Sequence, residues 1–167
     1  VKKLLKGFSP IIAEHPIAMI LGSMPSVTSL EKQEYYGFKH NRFWKFLSRY
    51  FHEELYDYED KKRLILTHRL ILWDVIGSCE REGSLDSHIR CEEVNDIRRL
   101  VRKYPDLRYV ICNGKKAYDL YQRHFFDLPL ICLSLPSTSN ANRTIKEEDL
   151  YEKWEAALRQ ALVKEGE

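Results

Sequence analysis

Residues 17–44, IAMILGSMPSVTSLEKQEYYGFKHNRFW, decide how the rest of the chain is read. Ile17-Ala-Met-Ile-Leu21 is continuously apolar rather than alternating, which predicts a strand buried on both faces. It ends at Gly22-Ser-Met-Pro-Ser26. A long polar and aromatic loop follows, and at Asn41-Arg42-Phe43-Trp44 a helical pattern begins. Loops of this length are uncommon in compact domains unless they have a function. A loop that leaves the carboxyl end of a buried strand is where α/β proteins place ligands.

The pattern continues outward. Over residues 42–51, Phe43, Trp44, Phe46, Leu47, Tyr50 and Phe51 fall at helical spacing, with Asn41 placed to cap. Residues 59–70 predict a second helix facing inward through Leu64 and Ile65, with His68 as a third candidate. Residues 71–76 read as a buried strand ending at Gly77, followed by a polar loop over 78–93. A helix over 95–104, capped by Asn95, stops before Pro105. A strand over 108–112 ends at Asn113-Gly114 and feeds a helix over 115–126. A strand over 128–133 leads into Leu135-Pro-Ser-Thr-Ser-Asn-Ala-Asn-Arg143. A closing helix over 146–163 carries Leu150, Trp154, Ala157, Leu158 and Ala161 on one face. Residues 1–16 read as an irregular, partly basic lead-in. Four short strands alternating with helices predict a three-layer α/β/α architecture around a mostly parallel four-stranded sheet. The length of 167 residues is read as one domain over 1–167.

Composition narrows the function. The net charge of +2 is too small to announce a nucleic-acid binder, so what matters is whether basic side chains share a face. No apolar run is long enough to span a bilayer, and VKKLLKGFSP is too short and interrupted for a signal peptide. A cytoplasmic protein is expected, nuclear in a eukaryote. Cys79, Cys91, Cys112 and Cys132 form no CxxC pair, which argues against a zinc site. Disulfides are not expected in that compartment, and Cys112 and Cys132 read as small buried hydrophobes. No Walker A, GxGxxG, HExxH or HxE…PCxxC motif is present, and Gly22-x-x-x-Ser26 is not a GxSxG elbow. Of the scattered histidines only His40 stands out, through its neighbours Tyr36 and Asn41.

Topology adds a stronger signal than any one motif. The loops after the four strands begin Gly22-Ser-Met-Pro-Ser26, Gly77-Ser78-Cys79, Asn113-Gly114-Lys115 and Ser134-Leu-Pro-Ser-Thr-Ser139. All are rich in small polar residues, Gly or Pro, and a parallel sheet brings them to one edge.

Five ordered motifs then become specific: GSMPS, YYGFKHNRFW, WDVI…C-x-R-x-GSLDSHI, ICNGKKAY and LPSTSNAN. Together they resemble the DNA-deoxyinosine (hypoxanthine-DNA) glycosylase branch of the uracil-DNA glycosylase superfamily, over roughly residues 5–162. Two departures stand out. Phe38-Lys39-His40 lies where relatives tend to carry a His-Pro pair, which bears on base fit. Asn140 replaces a common proline, which bears on the stiffness of the last motif. The resemblance implies hydrolysis of the N-glycosidic bond of a deaminated base in DNA, leaving an abasic site, with no cofactor and no metal. The close cysteine spacing of the iron–sulfur branches is absent.

Roles follow residue by residue. A glycosylase extrudes the base, holds it and stabilises an oxocarbenium-like transition state. Asn41 is the catalytic candidate, its carboxamide accepting from a water and positioning it; its competing role is to cap a helix. The first-motif Asn of other branches is Ser23 or Ser26 here. Tyr36 corresponds to an aromatic that stacks on the extruded base, an interaction worth about 1–3 kcal/mol, whereas Tyr35 is the better core candidate. Asn113 can donate and accept at once, matching the N1–H and O6 edge of hypoxanthine; its competing role is an Asn-Gly turn. Gly22, Ser23 and Ser26 would line the pocket floor. The segment Pro136, Ser137, Thr138, Ser139, Asn140 to Arg143 resembles a wedge that holds the duplex open, with Arg42, Lys115 and Arg143 as phosphate partners. Asp74 and Asp86 lie near the same edge, but neither belongs to the catalytic set. No lysine is placed as a Schiff-base nucleophile, so a monofunctional, monomeric enzyme acting on DNA is expected. Uracil as main substrate, or a module that binds damaged or single-stranded DNA without cleaving it, are the alternatives.

Overall fold

The computed structural model describes residues 4–163. The continuous apolar run of residues 17–21 becomes β3 (Ala18–Gly22), every residue of which is buried. β3 pairs in parallel with β4 (Leu70–Asp74) on one side and β7 (Tyr109–Asn113) on the other, and β8 (Ile131–Leu135) pairs in parallel with β7. The four parallel strands are those predicted. A fifth, β2 (Ile11–Ile12), joins β4 antiparallel at the edge, giving the order β2-β4-β3-β7-β8. Part of the predicted irregular lead-in is therefore ladder; residues 1–3 lie outside the described residues.

Alternation along β3 sets the two cores. Ala18 and Ile20 face one layer with α2 (Phe43–Phe51), α3 (Tyr58–Thr67) and α6 (Glu147–Leu162). Met19 and Leu21 face the other, with α4 (Ile97–Lys103) and α5 (Lys115–Phe125). Phe43, Trp154, Leu47 and Leu158 fill the first layer, and Ile97, Ala117, Leu120 and Tyr121 the second. The three-layer α/β/α expectation is met.

Three local expectations need correction. The polar loop read over 78–93 is largely strand: β5 (Ile76–Glu80) and β6 (Arg90–Val94) form an antiparallel pair, and β1 (Leu4–Lys6) adds to β5 as a second sheet. Polar, half-exposed strands carry no apolar run for periodicity to detect. α4 is capped by Asp96, not Asn95, whose Nδ2 donates to the Asp74 carbonyl. The long loop contains a short helix, α1 (Val27–Lys32), opened by Ser26, whose hydroxyl accepts from the Ser29 amide. Leu64 and Ile65 are buried as predicted, and His68 stacks on Phe51 at 3.7 Å. Cys112 is buried and Cys132 half-buried; both are free thiols, their sulfurs 3.8 Å apart.

The parallel strands change winding direction between β3 and β7. Ligand crevices open at such a switch point, beyond the carboxyl ends of the strands. Here the loop of residues 23–42 and the Asn113-Gly114 turn flank it.

Candidate active site

A cavity of about 560 Å³ lies at this switch point, lined from β3 by Gly22, from the following loop by Ser23, Ser26, Tyr36, Phe38 and Asn41, from β4 by Asp74, from the 86–88 turn by Asp86, from β7 by Asn113, and from the last loop by residues 137–142. Its size is that of a small-molecule pocket. The tertiary fold thus brings together Asn41, Tyr36, Asn113, Gly22, Ser23 and Ser26 with Ser137, Thr138, Ser139 and Asn140.

Thr138 is the hub. It is fully buried, and its hydroxyl donates to Asn41 Oδ1 at 2.9 Å while accepting from Asn113 Nδ2 at 3.0 Å. Its backbone N–H donates to Asn113 Oδ1 at 3.0 Å. A buried hydroxyl in this position cannot reach a phosphate, so the DNA-contact role expected for Thr138 is replaced by one of bracing two carboxamides.

Asn41 both caps and faces the cavity. Its Oδ1 accepts from the Phe43 amide at 2.9 Å, although Arg42 occupies the formal cap position of α2. With Thr138, both lone pairs of Oδ1 are engaged. A hydroxyl rotor can switch partner without moving a heavy atom, so turning the Thr138 hydrogen frees an acceptor for water.

Asn113 spends both Nδ2 hydrogens, on Thr138 and on the Tyr36 hydroxyl at 3.2 Å. Its Oδ1 keeps one lone pair, enough to accept N1–H of a base. In this arrangement it has no donor left for O6, which narrows the bidentate role read from sequence. Tyr36 stacks on Phe43 at 4.0 Å, leaving its other face for a ligand. It holds a left-handed φ of +52°, a conformation that costs a non-glycine residue of order 1–3 kcal/mol and clusters at functional sites. Burial, then Asp74, raises its phenol far above the ordinary range. Tyr35 is buried, its hydroxyl donating to the Ser9 carbonyl, as a core residue should be.

Gly22 is required by close approach. A Cβ there would stand 2.5 Å from Asp74 Oδ1 and 2.7 Å from the Tyr36 hydroxyl. The register pairs Gly22 with Asp74, so the carboxyl lies across the bare Cα. Asp74 is 5% exposed, and its Oδ2 has no protein hydrogen-bond partner. Burial first, then Asp86, push its carboxyl up to about 7, against the opposing pull of Arg81. Asp86 accepts from the Ser23 hydroxyl at 2.7 Å; burial raises it too, while Ser23 and Arg81 hold it down. Arg81 is buried and donates to the carbonyls of Pro25 and Gly83. Sequence reading set the two carboxylates aside. The signal that could have found Asp74 was a carboxylate ending an apolar strand of the functional edge.

The last loop is built from its own side chains. Ser137 and Ser139 hydroxyls accept from the amides of Ser139 and Ala141, and Asn142 Nδ2 donates to the Ser137 carbonyl. The Pro136 carbonyl accepts from Trp154 Nε1 at 3.2 Å. Gly114, at φ +96°, lets this loop approach, since a Cβ would meet Ser137 at 3.2 Å. Arg42 was expected on phosphate. Instead its guanidinium donates to the carbonyls of Thr138, Ser139 and Asn142, because a loop without ladder partners needs donors for its carbonyls. Lys115 stands outside the cavity, exposed and paired with Asp119 at 2.8 Å. Arg143 is exposed beside a second hollow shared with His40, Asn140 and Lys146. Among the described residues no group of three or more His, Cys, Asp or Glu converges as a metal site, and no helix is long and apolar enough to cross a membrane.

Comparison with known proteins gives the family. The sequence profile of the uracil DNA glycosylase superfamily matches residues 10–159. A hypoxanthine DNA glycosylase of Methanosarcina acetivorans is 39% identical, over 92% of this chain and 98% of the relative. Its Methanosarcina barkeri counterpart is 35% identical over 83% and 88%. A G/U mismatch-specific uracil DNA glycosylase of Schizosaccharomyces pombe is 30% identical over 70% of this chain and 37% of its own length. The solution NMR structure of a candidate uracil DNA glycosylase from Methanosarcina acetivorans superposes with a TM-score of 0.84 at 37% identity, covering 95% of this chain and 99% of that one. With the profile spanning most of the residues that build the crevice, the chain belongs to the uracil DNA glycosylase superfamily.

Proposed function

We propose that this protein is a monofunctional, monomeric DNA glycosylase that removes deaminated bases, hypoxanthine first, from DNA and leaves an abasic site, without a cofactor. It acts as one domain where the DNA is, in the cytoplasm or, in a eukaryote, the nucleus. The observation that carries the reading is the Thr138 bridge between Asn41 and Asn113 on one wall of a cavity with room for an extruded base. In this reading the extruded base lies against the free face of Tyr36. Asn113 Oδ1 accepts N1–H, and Asn41 positions the water against the anomeric carbon. Ser23, Ser26 and Gly22 shape the floor. The tip at Asn140 enters the duplex, and Arg143, with His40 and Lys146 around its hollow, follows the backbone. The two Methanosarcina relatives support hypoxanthine as the base.

The test is alkali cleavage of labelled duplexes carrying deoxyinosine, deoxyuridine or deoxyxanthosine. Deoxyinosine should be converted fastest. Asn41→Ala should lower single-turnover excision by about 100-fold or more, the scale of a lost positioning group, while its stability falls by the loss of a cap and of the acceptor for Thr138, about 1–3 kcal/mol, leaving a folded protein with a lower melting point. Binding without an abasic product from any substrate would instead indicate a module that recognises damage only.

A further inference from the structure

Asp74 is a buried carboxyl that borders the cavity, lacks a protein partner for Oδ2, and has no part in the reaction as set out above. Such a group in a functional cleft calls for a reason, since an unpaired buried charge is strongly disfavoured. We propose that Asp74, in its protonated form, is the acid that delivers a proton to a free ring nitrogen, N7 or N3, of the departing purine. The inference rests on the glycosylase reading and names what its leaving group requires.

When the C1′–N9 bond breaks, its electron pair stays with the base, and a purine leaves more readily if a ring nitrogen takes a proton. Both Nδ2 hydrogens of Asn113 are spent on Thr138 and Tyr36. Arg81 turns Nε and Nη2 to the carbonyls of Gly83 and Pro25, and its buried, unpartnered Nη1 does not line the cavity. The Tyr36 hydroxyl is too weak an acid, since burial pushes it far above the ordinary phenol range. Asp74 remains, its Oδ1 close to the bare Cα of Gly22 and beside the Tyr36 hydroxyl.

The surroundings divide two carboxyl groups between two states. The charged and titratable groups facing Asp74 are Asp86 from the 86–88 turn, Arg81 after β5, and Tyr35 and Tyr36 from the loop after β3. Asp86 has the Ser23 hydroxyl as a donor and is the better-solvated of the pair, so it takes the negative charge. A second charge on Asp74 is then opposed by Asp86 and by burial, and its carboxyl titrates at about 7. Carboxyl pairs driven apart in this way mark an acid and its ionised neighbour. In the reaction, C1′–N9 breaks, the Asp74 proton passes to the base, and water oxygen bonds to C1′. The proton shed by that water returns through solvent to Asp74. One water is consumed and neutral base is released.

The experiment is the pH dependence of single-turnover excision by the full chain, using deoxyinosine duplexes and their 7-deaza and 3-deaza analogues. With wild type, the deoxyinosine rate should be level below pH 7 and fall about tenfold per pH unit above, as the essential acid ionises. Asp74→Asn should lose about 100-fold or more and lose that break, while binding a duplex with unreactive 2′-fluoroarabino-inosine as wild type does; Asp74→Glu should recover part of the rate. One of the two deaza analogues should abolish the break in the wild-type enzyme and show no further loss with Asp74→Asn. The proposal is overturned if Asp74→Asn keeps the wild-type rate and profile, or if both analogues keep the break. The analogue comparison with wild type decides the matter even if Asp74→Asn does not fold. Absence of any abasic product from wild type and deoxyinosine would instead remove the glycosylase reading beneath it.

Discussion

The Thr138 hydroxyl makes one bond as donor and one as acceptor, and both partners are carboxamides of the site. Thr138→Val keeps the shape and deletes both bonds, leaving a buried Asn113 hydrogen without its partner. The expected cost is about 1–3 kcal/mol of stability, read as a lower melting point, together with slower excision. Thr138→Ser should restore both, since it returns the hydroxyl. At Asp74 the native state binds the proton more tightly than the unfolded chain, whose carboxyl titrates near 3.8. The contribution of Asp74 to stability is therefore full below that value and is lost as pH rises through about 7. Asp74→Asn removes the titration. Its melting point should match wild type near pH 4 and exceed it near pH 8, roughly the two sides of that window. A more stable but less active variant is the expected trade where a buried carboxyl serves the reaction.

Among the elements, the start of α2 and the last loop behave as one unit. The Arg42 backbone amide and guanidinium together hold the carbonyls of Thr138, Ser139 and Asn142. Lysine carries its donors on a single nitrogen and cannot reproduce the spread of Nε and Nη2 over these carbonyls. Arg42→Lys should speed amide exchange across residues 138–143 and slow excision, with the protection of β3 and β7 unchanged; equal protection in the loop would return Arg42 to the phosphate role. From the sequence, α2 and β3 were plain because each carries an uninterrupted apolar signal. The β5–β6 pair was not, because its fully buried residues, Ile76 and Cys79, stand three positions apart in β5 and β6 is only half-buried or exposed, so no period-two apolar face shows. That pair positions the turn that carries Asp86, a carboxylate the sequence placed near the edge without showing its partners.

For the molecule as a whole, a net charge of +2 gives no broad attraction to DNA. Binding must depend on local basic groups around the cavity mouth, of which Arg143 is the exposed example. Duplex affinity should fall log-linearly with salt, with a slope of about −0.9 per phosphate contacted. Arg143→Ala should weaken binding similarly on inosine and undamaged duplexes and reduce that slope by about one. An unchanged slope would take Arg143 off the backbone path, and the same titration on Lys115→Ala tests the exposed cation paired with Asp119.

The chain order of apolar runs and small-residue loops determined the layered fold and the edge that bears the site, because burial on both faces of a parallel strand leaves a continuous apolar signature. It also supplied Asn41, Tyr36 and Asn113, residue types whose chemistry suits a base and a water. Tertiary structure alone decided which groups remain free to act. Thr138 and Arg42 are turned inward by partners about a hundred positions away, and Asp74, in register with Gly22, is buried with its Oδ2 unpartnered. The hydrogen bonds of Thr138 and Arg42 depend on close approach through space, and residue order alone carries no distance between distant segments.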